Sequence, residues 1–162
     1  MVMERKFLEN VLVRWVDLCE TPLLSTPSEG SVILFVEGLP VEKRAIECFI
    51  YDDDVLKFKH GETIRVELHL LNWAWKNKRP NKKEKEIKYI KKTPVAVNTY
   101  ILTGEILDIF ESKYEDSYNA IIDCDIYVKL RILKDQNFKI GDYIQAEGRL
   151  DAFKVDVVEG CE

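Results

Sequence analysis

The stretch Phe138-Lys139-Ile140-Gly141-Asp142-Tyr143-Ile144-Gln145-Ala146-Glu147-Gly148-Arg149-Leu150 places a glycine-acid turn directly before a run in which apolar residues take every second place. Eighty positions earlier, Phe58-Lys59-His60-Gly61-Glu62-Thr63-Ile64-Arg65-Val66-Glu67-Leu68-His69-Leu70 repeats the pattern. Strand side chains alternate between the two faces of a sheet. Ile144, Ala146, Gly148 and Leu150 therefore share one face, and Ile64, Val66, Leu68 and Leu70 share the matching face of the earlier copy. Two related β-units are expected.

Outward from these two stretches the chain reads mainly as β. Residues 31–37 and 44–51 form two strands of a hairpin, with Gly38-Leu39-Pro40 as the turn and Val32, Ile33, Leu34, Phe35 and Val36 as a buried run. Residues 95–110 give one or two further strands. Tyr118, Ala120, Ile122, Cys124, Ile126, Val128, Leu130 and Ile132 then hold one register, as a long strand or as two strands bent at Asp123-Cys124-Asp125. Gly148 allows a bend or bulge in the last strand. At the start of the chain, Phe7, Leu8, Val11, Leu12, Trp15, Val16 and Cys19 recur at steps of one, three and four opposite Glu4, Arg5, Glu9, Asn10, Arg14 and Asp17. This predicts an N-terminal amphipathic helix with Trp15 as a core anchor, a first strand over 11–16 being the competing reading. Pro94 marks a boundary between two units, 1–93 and 94–162.

Composition bounds the function. The 46% apolar and 33% charged shares exclude a disordered chain. No apolar run approaches the roughly 18 residues that cross a bilayer. Met1-Val2-Met3-Glu4-Arg5-Lys6 opens like a signal peptide, but Glu9, Arg14 and Asp17 interrupt the apolar core that an export signal needs. No membrane association and a cytoplasmic location are expected. Cys19, Cys48, Cys124 and Cys161 lack the close spacing of zinc ligands, and His60 and His69 are remote from Cys48 and Cys124. The expectation is buried reduced thiols at Cys48 and Cys124, with no metal and no cofactor. Asp52-Asp53-Asp54 reads as a solvated turn, because cation loops need spaced ligands and a glycine-driven bend.

Charge is segregated. Between Lys76 and Lys92 there are nine basic residues and two acidic ones, a net of plus seven. The whole chain carries minus five, which leaves minus twelve elsewhere. This basic loop, 76–92, follows Trp73-Ala74-Trp75 directly and contains Tyr89. Lys76, Lys78, Arg79, Lys82, Lys83 and Lys85 can neutralise phosphates, and Trp73 and Trp75 offer flat faces on which unpaired bases stack. If about four cations engage a single strand, log affinity falls against log salt with a slope of about minus three.

The glycine-acid turn and alternating strand at 141–150, preceded by a strand pair and followed by more strand, resemble the fourth-strand region of OB-fold domains. The resemblance covers about residues 98–158, with a weaker version over 31–90. It implies two tandem small barrel-like units that bind through a sheet face and the loops between strands. In the first unit the basic, Trp-flanked stretch falls in such a place. The expected function is a non-catalytic binding protein for single-stranded DNA or RNA. The alternative is a protein-interaction module that docks on an acidic partner or self-associates. Neither histidine has a paired nucleophile and there is no glycine-rich phosphate loop, so no enzyme is expected.

Overall fold

The computed structural model describes residues 8–19, 29–36, 39, 44–51, 61, 63–90 and 98–154, with the backbone alone for 8–19, 29–31 and 51. Asp52-Asp53-Asp54, His60, Cys161, Lys91, Lys92 and Pro94 lie outside these residues. The protein is mainly β. Its strands are β1 (Leu8–Cys19), β2 (Glu29–Val36), β3 (Ala45–Tyr51), β4 (Thr63–Asn72), β5 (Glu86–Tyr89), β6 (Thr99–Glu111), β7 (Ser117–Asp123), β8 (Tyr127–Leu133) and β9 (Tyr143–Lys154). The only helical pieces among the described residues are 3-10 turns at Ala74–Lys76 and Lys134–Gln136. Hydrogen bonding runs in the order β1-β2-β3-β9-β4-β8-β7-β6-β5, with two additional pairings, β1 with β4 and β6 with β9.

Two compact units divide the chain. Leu68–Asp151 belongs to one, and Phe7–Glu67 with Ala152–Glu162 to the other. In the first, β6, β7 and β8 are antiparallel neighbours, and β8 pairs in parallel with the end of β4 through Leu68↔Val128 and His69↔Lys129. β9 pairs antiparallel with the first half of β6, from Thr99↔Arg149 to Glu105↔Tyr143. Alternation buries Leu68, Leu70, Leu102, Ile106, Ile122, Val128, Leu130, Ile132, Ile144, Ala146 and Leu150. In the second unit β1 pairs with β2, β2 with β3, and β1 also with the start of β4 through Leu8↔Val66 and Val11↔Ile64. Val32, Leu34, Ile46, Cys48, Ile50, Ile64 and Val66 are buried there.

The glycines of the two turns adopt the same backbone region. Gly61 and Gly141 have φ of 85° and 95°, the left-handed region that glycine enters without steric cost. The acid of the second copy has a local purpose: the Asp142 carboxylate accepts the Lys139 N–H at 2.9 Å, and the Asp142 carbonyl accepts the Ile106 N–H at 2.8 Å. The turn thus ties the start of β9 to β6. The run from 118 to 132 is two strands, broken where Asp125 takes φ 80° and its N–H donates to the Asp123 carboxylate at 3.0 Å. Cys48 and Cys124 are both buried, and neither forms a disulfide among the described residues.

The N-terminal helix is corrected: residues 8–19 form β1. Val11, Val13 and Val16 are β-branched, which costs a helix side-chain freedom and suits a strand. The register on β2 shifts between Val13 and Trp15. An extra residue at such a bulge breaks period-two alternation, so the apolar residues acquire the spacing of three and four that imitates a helix.

Candidate nucleic-acid interface

β4 ends in a side-chain lock. Asn72 donates to the Arg131 carbonyl at 2.8 Å and to the Asn77 side-chain oxygen at 2.9 Å, while the Arg131 N–H donates back to Asn72 Oδ1 at 3.0 Å. Asn77 donates to the Arg131 carbonyl at 2.9 Å, and Gln136 donates to the Ala74 carbonyl at 2.8 Å. The Trp73 N–H reaches the Glu147 carbonyl at 3.1 Å, and the 3-10 turn closes with Lys76 N–H to Trp73 O at 2.8 Å. Ala74 is buried in this turn, which sets its two neighbours outward: Trp73 is 42% exposed and Trp75 71%.

Lys76 lies between the indoles, its Nζ 5.0 Å from the Trp73 ring centroid and 5.4 Å from that of Trp75, and 3.7 Å from the Glu147 carboxylate. Two residues on, Lys78 exchanges backbone hydrogen bonds with Gln145 at 3.1 and 2.8 Å. Arg79 donates to the carbonyls of Gln136 and Asn137 at 3.1 and 3.3 Å, lies 4.3 Å from the Phe138 ring centroid, and approaches the Asp142 carboxylate at 3.8 Å. Lys85 donates to Asp123 at 2.8 Å. That hydrogen bond holds the Lys85 ammonium above its usual range, partial burial opposes it, and the charges of Asp123, Tyr143 and Asp125 add to it. Lys78, Lys82 and Lys83 are exposed and make no ion pair among the described residues.

The basic segment is therefore not one free loop. It is fixed at Lys78, and residues 86–89 form β5, which pairs antiparallel with β6 from Glu86↔Thr103 to Tyr89↔Tyr100. The candidates separate into three groups. Trp73, Trp75 and Lys76 form one aromatic and cationic surface. Lys78, Lys82 and Lys83 are exposed and their side chains make no ion pair among the described residues. Arg79 and Lys85 are engaged within the protein. Sequence reasoning missed Asn72, Asn77, Gln136 and Glu147, which hold the surface in place. A polar residue ending an alternating strand was the only signal for Asn72, and the other three carried none. No cluster of three metal-ligating side chains occurs among the described residues, and no helix there is long and apolar enough to cross a membrane.

No family model matches the chain and no curated protein matches it. Among solved structures, the chain is similar to the cytoplasmic molybdate-binding protein ModG in its PEG-grown form with molybdate bound, at 11% identity and a TM-score of 0.45, over 93% of this chain and 97% of that one.

Proposed function

We propose that the chain is a non-catalytic binding protein that holds single-stranded nucleic acid against Trp73, Trp75 and Lys76, with Lys78, Lys82 and Lys83 neutralising phosphates. The observation that carries the reading is Trp75, a large aromatic ring 71% exposed at the head of the basic segment. Its exposure suits stacking, where each base contributes about 1–3 kcal/mol. We further infer two OB-like barrel units. Five strands, β6, β7, β8, β4 and β9, return to β6, and another five, β1, β2, β3, β9 and β4, return to β1, in keeping with the five-stranded barrel that the resemblance implies. On this reading the sequence halves 1–93 and 94–162 each build most of one barrel and exchange the ends of β4 and β9.

The ion pairs alter the expected salt dependence. A cation already paired with a protein carboxylate releases fewer counterions when it meets a phosphate, so with Lys76, Arg79 and Lys85 paired in this way the three remaining lysines of the candidate set dominate the slope of log affinity on log salt, which becomes about minus two. Fluorescence anisotropy of a labelled single-stranded oligonucleotide across a salt series tests this. Trp75→Ala should weaken binding by about 1–3 kcal/mol at every salt concentration. Lys82→Ala with Lys83→Ala should flatten the slope by about 1.4. No binding at low salt overturns the reading and turns attention to an acidic protein partner.

A further inference from the structure

A second group of rings and cations lies on β6, β7 and β8. Lys129 Nζ is 6.0 Å from the Phe110 ring centroid, Lys134 Nζ is 4.9 Å from that of Tyr118, and Tyr114 has two cations, Arg131 at 4.9 Å and Lys113 at 5.2 Å. Tyr114 is 49% exposed, in the connection between β6 and β7. That connection is held firmly. Ser112 Oγ accepts the Tyr114 N–H at 3.0 Å and donates to the Ser117 carbonyl at 2.8 Å, and the Lys134 N–H donates to the Asp116 carbonyl at 2.9 Å.

Arg131 is the unusual member. Its Nη2 reaches both Asp116 carboxylate oxygens at 3.3 Å, long for charge-assisted hydrogen bonds, which run about 2.7–2.9 Å. Its Nε is buried and has no hydrogen-bond partner among the described residues. A buried donor left unused costs free energy, so the guanidinium is incompletely satisfied by Asp116. An exposed ion pair of this kind contributes about 0–1 kcal/mol and yields readily to a better acceptor. A phosphate supplies oxygens that can engage Arg in bidentate fashion. The Arg131 backbone is bound by Asn72 and Asn77, the residues that fix Trp73–Ala74–Trp75, so the two aromatic groups share one scaffold.

We propose that Arg131 and Tyr114 form a second contact point for the strand bound at Trp75: a phosphate takes the place of the Asp116 carboxylate on Arg131, and a neighbouring base stacks on Tyr114. This rests on the reading of the Trp75 surface as a single-strand site. Asp116 is then an internal competitor that holds Arg131 while the site is empty.

The test is anisotropy of labelled oligothymidylates from about 4 to about 16 nucleotides, the range of single-barrel site sizes, against wild type, Asp116→Asn, Tyr114→Ala, Tyr114→Phe and Trp75→Ala. Asp116→Asn should tighten binding several-fold, a gain that misfolding cannot produce. Tyr114→Ala should weaken binding of the longer oligonucleotides by about 5-fold to about 100-fold and leave the shortest unchanged, while Tyr114→Phe keeps wild-type affinity. If Trp75→Ala weakens binding but Asp116→Asn and Tyr114→Ala match wild type, this inference falls and the Trp75 site stands. If no oligothymidylate binds wild type, both fall.

Discussion

Cys124 sits at the break between β7 and β8, where its thiol donates to the Ile126 carbonyl at 3.4 Å. Burial pushes the thiol up to about 12, and the neighbouring carboxylates of Asp123 and Asp125 act in the same direction. A free cysteine loses its proton near pH 8.5. Between that pH and about 12 the unfolded chain has released a proton that the folded chain retains, so stability falls as pH rises, by up to about 1.4 kcal/mol per pH unit. Urea unfolding at pH 8 and pH 10 should therefore show a loss for wild type that exceeds the loss for Cys124→Ala by about 2 kcal/mol. Equal losses would show that the thiol is not shielded in the fold. At this scale sequence tells the type of group but not its partner. Cys124 was legible as a buried thiol because it occupies an even place in an alternating run. Arg79 and Lys85 were not separable from Lys82 and Lys83, because Asp142 and Asp123 come from distant turns and strands that only folding brings beside them.

Close approach of backbones, rather than turn geometry, explains the glycines inside the strands. A Cβ on Gly148 would lie 2.2 Å from the Leu71 carbonyl oxygen and 2.6 Å from the Asn72 Cα, atoms of β4 that cannot rotate away. A Cβ on Gly104 would meet the Asp123 carbonyl oxygen at 2.5 Å. Gly141 differs: nothing lies within 4 Å of its would-be Cβ, and only its φ of 95° resists a side chain. Gly141→Ala should cost about 1–2 kcal/mol, the penalty for a left-handed residue. Gly148→Ala should cost more, beyond the roughly 1–3 kcal/mol of ordinary overpacking, because β4 and β9 must separate to admit it. Denaturant midpoints of the two variants check the ranking, and a Gly148→Ala protein as stable as Gly141→Ala would contradict the packing. The strands themselves were legible because period two survives in β4, β7, β8 and β9. β1 was not, since a bulge disturbs the spacing, and neither was β5, whose four residues are hidden among lysines.

Strand length carries the largest organisation of the molecule. β4, β6 and β9 have 10, 13 and 12 residues, about twice the usual length of about 5–6. Each can therefore serve more than one set of neighbours: β6 pairs with β9 along its first half and with β7 along its second, and β4 pairs with β1 near its start and with β8 near its end. Membership of the two compact units changes within β4, between Glu67 and Leu68, and within β9, between Asp151 and Ala152. The alternating apolar residues run across both points without a mark. Alternation says which face is buried and not which strand lies alongside, so the repeat at 58–70 and 138–150 was legible while the assignment of strand ends was not. The division predicts that neither half of the chain folds alone. Residues 1–93 lack the end of β9, and residues 94–162 lack the end of β4, so each would leave an unpaired strand edge and an open core. Expressed separately, the two pieces should give collapsed amide NMR spectra, and mixing them should restore dispersed signals with one-to-one stoichiometry. Dispersed spectra from either piece alone would mean that the piece folds without the strand the other supplies, and the change of unit within β4 and β9 would then be incidental to stability.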